Sequence, residues 1–259
     1  MEAIIYIWLA ALGAVFGSFL GCMGYRIPNK IKTTYPSSFC SNCKKPLKWY
    51  MNIPVFSYIF LHGKCAYCKS KIGVIYFICE LFGLVLFPMN YYLFKFDMNF
   101  FLSTIFDCLL IVTIVSDFLY YYISDRVLII SGLLILIVLY AFEGPTEMLY
   151  SLAYALVLFL VMLGLKFLGN SMFGRESLGD GDIKLMAVIG LALGIFNSFV
   201  TLFFASVIAL IFSLITIKKH EDGVIPFGPF IIFGAMLLIY FGNIITPYLT
   251  ELFSLWKIL

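Results

Sequence analysis

The chain has 259 residues, 63% of them hydrophobic and 12% charged, with a net charge of +3 and a mean hydropathy of +1.05. A soluble domain carries about 25% charged residues, so this chain cannot cover its surface in water and a water-soluble globular fold is excluded. The small net charge acquires meaning only when it is placed loop by loop.

Crossing a bilayer takes roughly 20 consecutive apolar residues. Eight candidate runs follow in chain order, at about 4–24, 74–94, 99–119, 127–142, 148–168, 183–197, 198–217 and 230–250. The expected class is therefore an all-α polytopic membrane protein with about eight transmembrane helices. The first run ends in Tyr25-Arg26 with no small-residue cleavage site, so it is expected to be a retained span rather than a signal peptide. The sixth run is short and meets the seventh at Phe196-Asn197-Ser198. No internal repeat is visible. The organisation expected is a first helix over 1–24, a loop over 25–73 and a seven-helix core over 74–259.

The loop over 25–73 holds Arg26, Lys30, Lys32, Lys44, Lys45, Lys48, Lys64, Lys69 and Lys71 and no acid. Loops rich in Lys and Arg stay in the cytosol. Eight spans then place both termini outside. Arg126, Lys166, Arg175, Lys184, Lys218 and Lys219 also fall on the cytosolic side, and Lys95 and Lys257 fall outside. Such a basic loop is expected near anionic headgroups.

The same loop carries two cysteine pairs, Cys40-Ser-Asn-Cys43 and Cys65-Ala-Tyr-Cys68, 21 residues apart. Disulfides are rare in the reducing cytosol. Four thiolates from two such pairs suit tetrahedral Zn²⁺, and four protein ligands leave no open position for water. The loop is expected to be zinc-ribbon-like, its metal structural, and its alternative is four reduced thiols without metal. Cys22, Cys79 and Cys108 fall within spans and are expected to pack as small hydrophobes.

Ionisable groups within spans are costly and mark functional interiors. Asp117 lies about one turn from the cytosolic end of the third run, and Asp125 follows eight residues later beside Arg126. Asp180 and Asp182 sit in Gly179-Asp180-Gly181-Asp182, at the cytosolic entry to the sixth run. Two carboxyls at equal depth on neighbouring helices can share one proton, one acting as base and the other as acid. Asp117 and Asp182 meet that requirement. Asp107 lies ten residues before Asp117, about 15 Å further out by helical rise, and is expected to be a buried, hydrogen-bonded residue. Asp125 is expected to be a boundary charge or a partner of the site, and Asp180 a helix cap. Paired intramembrane acids serve proton relays in transporters as well as peptidases, and the residues alone leave both readings open. A membrane-anchored zinc-ribbon adaptor is a third.

Gly179-Asp180-Gly181-Asp182 followed by Ile183-Lys184-Leu185 resembles the signature of the type IV prepilin peptidases. Asp117 and Asp125 match that family's first aspartate motif. Gly17-Ser18-Phe19, Tyr25-Arg26-Ile27-Pro28, Trp49-Tyr50, Asn52-Ile53-Pro54, Ser57-Tyr58, Glu80-Leu81 and Pro226-Phe227-Gly228-Pro229 fit in the family's order. Departures fall at Gly21, Met51, Ile75, Phe77 and Ser124.

The resemblance implies an aspartyl endopeptidase of the bacterial cytoplasmic membrane, with its active site facing the cytosol. It would cut the basic leader from a type IV prepilin or pseudopilin, then N-methylate the new terminus with S-adenosylmethionine. Carried over residue by residue, Asp117 and Asp182 become the catalytic dyad, and Cys40, Cys43, Cys65 and Cys68 the zinc ligands. Gly63 and Lys64 match a pair linked in the family to methyl transfer. The partners implied are the pilin substrate and the lipid bilayer, with no nucleic acid.

Overall fold

The structure is a computed structural model that describes residues 1–33, 35–174, 176–216 and 225–256. Arg175, Lys218, Lys219 and Lys257, used above to orient the chain, lie outside the described residues. These contain eight α-helices and no strand: α1 (Glu2–Arg26), α2 (Phe56–Phe60), α3 (Val74–Phe94), α4 (Met98–Tyr120), α5 (Asp125–Phe142), α6 (Pro145–Phe173), α7 (Asp180–Thr216) and α8 (Gly228–Trp256), with a 3₁₀ turn at Trp49–Asn52. All but α2 are long and apolar enough to cross a membrane. The chain is an all-helical, multi-pass membrane protein. It divides into two units, one of Met1–Phe96 with Asp107–Ser124 and the other of Asp97–Phe106 with Asp125–Leu259.

In the first unit α1 and α3 form an antiparallel pair. Their backbones touch where side chains are missing: a Cβ on Gly13 would strike the Gly83 carbonyl, one on Gly83 the Gly13 carbonyl, and one on Gly17 the Cys79 carbonyl. Lipid chains are as apolar as leucine, so helices in a membrane associate by such close backbone approach rather than by hydrophobic burial. At the far end of the pair, Lys95 reaches Glu2 at 3.2 Å. At the loop end the last turns of α4 join the pair. Val115 and the Val112 carbonyl press on Gly24, and the rings of Tyr25 and Tyr120 meet at 6.3 Å. Asp117, one turn before Tyr120, therefore lies at the cysteine-loop end of this unit.

The loop is organised from its two ends. Arg26, in the last turn of α1, is buried and donates to the carbonyls of Lys32, Thr33 and Pro36 at 3.2, 3.0 and 2.8 Å. From the other side, Glu80 of α3 accepts the Val55 N–H at 2.6 Å, and Phe77 of α3 stacks on Tyr58 of α2 at 4.5 Å. Phe77 is one of the positions where the chain departs from the family pattern, and its ring supplies this contact.

In the second unit α7 packs against α5, α6 and α8, and α5 against α6. Its 37 residues would extend about 55 Å as a straight helix, nearly twice the ~30 Å hydrocarbon core. The helix is broken at Gly194, which adopts φ 70° and ψ −179°. The runs expected at 183–197 and 198–217 are thus two helical segments joined at this kink, which falls three residues before Asn197. Ser198 donates its hydroxyl to the Gly194 carbonyl at 2.6 Å, which satisfies a backbone group at the break where no water is at hand.

Candidate functional site

The four cysteines of the loop converge. Their sulfurs all lie within 4.8 Å of one another, and those of Cys40 and Cys68 are 3.8 Å apart. Zn–S bonds of about 2.3 Å in a tetrahedron imply sulfur–sulfur edges of about 3.8 Å, so the donor set fits zinc in number, chemistry and spacing. The two pairs also share one backbone design. Cys40 N–H donates to the Lys45 carbonyl, and Cys65 N–H to that of Ser70; Lys44 N–H returns to Cys40, and Lys69 N–H to Cys65. Bridges close both turns, Phe39 with Pro46 and Lys64 with Lys71, and Lys44 and Lys69 both take φ 58°. This repeated knuckle is visible in the sequence only as a lysine after the second cysteine of each pair.

The thiols are unequal in protonation. The Ser70 hydroxyl and N–H bring Cys68 down to about 6. Burial pushes Cys40 up, but the N–H groups of Cys43 and Asn42 and the side chains of Cys65 and Ser70 bring it below its ordinary value. Cys43 goes up to about 11: the Lys45 N–H lowers it, and desolvation and the neighbouring thiols of Cys40, Cys68 and Cys65 outweigh that.

Gly63 and Lys64 form the turn into the second knuckle. Gly63 has φ 66°, and a Cβ there would stand 2.9 Å from the Tyr58 hydroxyl. Its missing side chain is therefore accounted for by Tyr58 rather than by a ligand cradle. The backbone of Gly63 donates to Tyr58 and accepts from Ile72. This turn thus joins the knuckle to the Tyr58–Phe77 stack and so to α3. Lys64 is exposed.

The aspartates occupy helix termini in their separate units. Asp117 is 5% exposed and sits three residues before α4 ends at Tyr120, where Tyr121 turns to φ 50° and its N–H closes on the Asp117 carbonyl at 2.9 Å. Asp107, deeper in the same helix, is fully buried and accepts from Asn90 of α3 at 2.7 Å. In the second unit Asp182 lies in the first turn of α7. A Cβ on Gly179 would stand 3.1 Å from the Asp182 carboxylate, so the glycine leaves room for that group. Ion pairs fix this turn. Lys184 meets Asp125, the first residue of α5, at 2.7 Å, and Lys166 of α6 meets Asp180 at 2.6 Å and Glu176 at 3.7 Å. Asn170 then holds Ser177 of the α6–α7 connection by its N–H and hydroxyl at 2.8 and 3.0 Å. The sequence reads Asp125 as a boundary charge or a partner of the site, Asp180 as a helix cap, and Lys166 and Lys184 as cytosolic cations, with no pairing among them. Their pairing was not legible because ion partners far apart in sequence leave no spacing signal.

Two family models match in tandem. Residues 11–94 match the Bacterial Peptidase A24 N-terminal domain, and residues 104–214 match the Type IV leader peptidase family. Among curated relatives, a prepilin leader peptidase/N-methyltransferase of Bacillus subtilis is 29% identical, over 93% of this chain and 96% of the relative. Proteins of the same name from Vibrio cholerae and Neisseria gonorrhoeae are each 28% identical, covering 93% and 85% of this chain and 98% and 85% of their own. No solved structure matches the chain.

Proposed function

The chain belongs to the type IV leader peptidase family, and from that premise we propose that it is a prepilin peptidase and N-methyltransferase whose catalytic pair is Asp117 and Asp182. The observation that carries this reading is the tandem match, which takes in both the cysteine loop and the two aspartate-bearing helices in one chain. Asp117 and Asp182 each lie within one turn of a helix end, Asp117 at the cysteine-loop end of its unit and Asp182 beside two interhelical ion pairs. With the loop in the cytosol, as its nine cations and lack of acids favour, both ends face the cytosolic side of the bacterial inner membrane.

The substrate is a type IV prepilin or pseudopilin, whose apolar helix shares the bilayer while its leader reaches the membrane face. One carboxyl of the pair, ionised, takes a proton from a water as that water attacks the carbonyl after the leader. The other, protonated, hands its proton to the leaving amine. Like charges brought together cannot both ionise, so the pair holds one proton between its members, and its two apparent pKa values belong to the pair. No covalent intermediate with the chain forms. Gly179 keeps space beside Asp182, and the Lys184–Asp125 and Lys166–Asp180 pairs orient the turn that carries it.

Cys40, Cys43, Cys65 and Cys68 would hold a structural zinc ion. With four thiolates bound, zinc supplies folding energy to the loop rather than chemistry. S-adenosylmethionine supplies the methyl group when bound. Gly63 and Lys64 bear on that second activity by shaping the turn between knuckle and α3. Reconstituted chain incubated with a prepilin and S-adenosylmethionine should give a pilin cut after its leader and heavier by one methyl at the new N-terminus, read by mass spectrometry. Substrate recovered intact would reject the peptidase reading, and a cut but unmethylated product would reject the transferase.

A further inference from the structure

We infer that α2 and its flanks are a membrane-interface anchor, lying in the headgroup region of the same bilayer that α1 and α3 cross and contacting lipid through Phe56, Ile59 and Phe60. Those side chains are 58%, 55% and 76% exposed. Their spacing, i, i+3 and i+4, places them on one face of a helix. The opposite side is occupied: Val55 is buried, Tyr58 stacks on Phe77, and the Val55 N–H is held by Glu80. An apolar face of three large side chains left open in water is a liability, whereas in the boundary between headgroups and acyl chains it is the face that binds.

The tether sets the depth. α3 begins at Val74, so Phe77 and Glu80 lie about 4.5 and 9 Å along it by helical rise. A segment bound to both residues is held beside the first turns of a spanning helix, at interface level rather than out in solvent. Val74 and Ile78 of α3 are themselves exposed, which continues the lipid-facing surface toward α2. The 3₁₀ turn packed against α2 adds Trp49, 80% exposed, and Tyr50, the residue types that settle at membrane interfaces. Lys44, Lys45, Lys48, Lys64, Lys69 and Lys71 are exposed around the same loop and complement anionic headgroups.

The inference does not depend on the peptidase reading. The test places a single tryptophan on the α2 face, Phe60→Trp with Trp8→Phe, Trp49→Phe and Trp256→Phe, in the full chain. The protein is reconstituted in phosphatidylcholine–phosphatidylglycerol vesicles without prepilin. Lipids brominated in the upper acyl chain should quench most of its emission, and aqueous iodide little. Strong iodide quenching with none by brominated lipid would overturn the anchor. So would protection from iodide that arises only on adding prepilin, which would give the face to the substrate. If the substitution at 60 disturbs folding, native Trp49, in a Trp8→Phe, Trp256→Phe background, is the probe and is held to the same outcomes.

Discussion

Lys184 and Asp125 meet at 2.7 Å although 59 residues separate them, and their contact ties the first turn of α7 to the first residue of α5. Both side chains are about half exposed. Such a pair contributes about 0–1 kcal/mol to stability, so its weight lies in position: Asp182 is two residues from Lys184 on the same turn.

Asp125→Asn and Lys184→Met should therefore separate stability from activity. Thermal unfolding of the purified protein should move little, while prepilin cleavage should fall about 10- to 100-fold, the scale on which small misplacements act. The exchange Asp125→Lys with Lys184→Asp should recover part of the loss. Equal loss in all three variants would mean that the charges act otherwise than by pairing.

Gly179→Ala probes the same turn from the other side. A Cβ 3.1 Å from the Asp182 carboxylate must displace it, since that is tighter than ordinary van der Waals contact. Cleavage should slow in kcat more than in KM, with unfolding unchanged. Wild-type kcat would show that Asp182 has freedom to move.

Much of this was legible in the sequence, and the reasons differ by feature. Spans follow from composition alone, and the cysteine cluster from two C-x-x-C pairs 21 residues apart. The buried, hydrogen-bonded setting of Asp107 followed from its depth. The break in α7 was misplaced because Gly194 stands in an unbroken apolar run, where hydropathy carries no trace of a positive φ, whereas Asn197-Ser198 looks like a turn and is helical. Arg26 reads as a topology charge in the sequence; its side chain also binds three carbonyls of the loop, a role that depends on where the chain folds back. The repeat of the two knuckles lies in backbone bonds and left only Lys44 and Lys69 as its sequence mark.

Zinc binding should be proton-linked. Ligand thiols must be deprotonated to bind. Cys43, pushed up to about 11, carries a proton at neutral pH, so zinc uptake there should release protons into weakly buffered solution. Cys68, brought down to about 6, is a thiolate above that value and is protonated below it. Zinc affinity should thus weaken as pH falls, more steeply once pH passes below about 6. Titration of purified protein with a chromophoric chelator checks both; a pH-independent affinity would contradict thiolate ligation.

Glu80→Ala should loosen the loop from α3. It removes the acceptor of the Val55 N–H, and Val55 sits at φ 64°, a conformation unfavourable for a β-branched residue. A hydrogen bond to a charged group contributes about 1.5–3 kcal/mol. Limited proteolysis of membranes should nick the loop near 52–62 faster than in wild type. Val55→Gly in the same background should restore part of the resistance by relieving strain. An unchanged cleavage rate in Glu80→Ala would show that the Tyr58–Phe77 stack alone holds the segment.

The central claim is that Asp117 and Asp182 share the chemistry, and single-turnover cleavage of a prepilin by Asp117→Asn, Asp182→Asn and the double variant tests it most directly. Each single variant should fall to the level of the double variant, because a pair acting as one unit loses its function with either member, while the zinc content of all three stays at the wild-type value. Cleavage at the wild-type rate by either single variant would contradict the dyad.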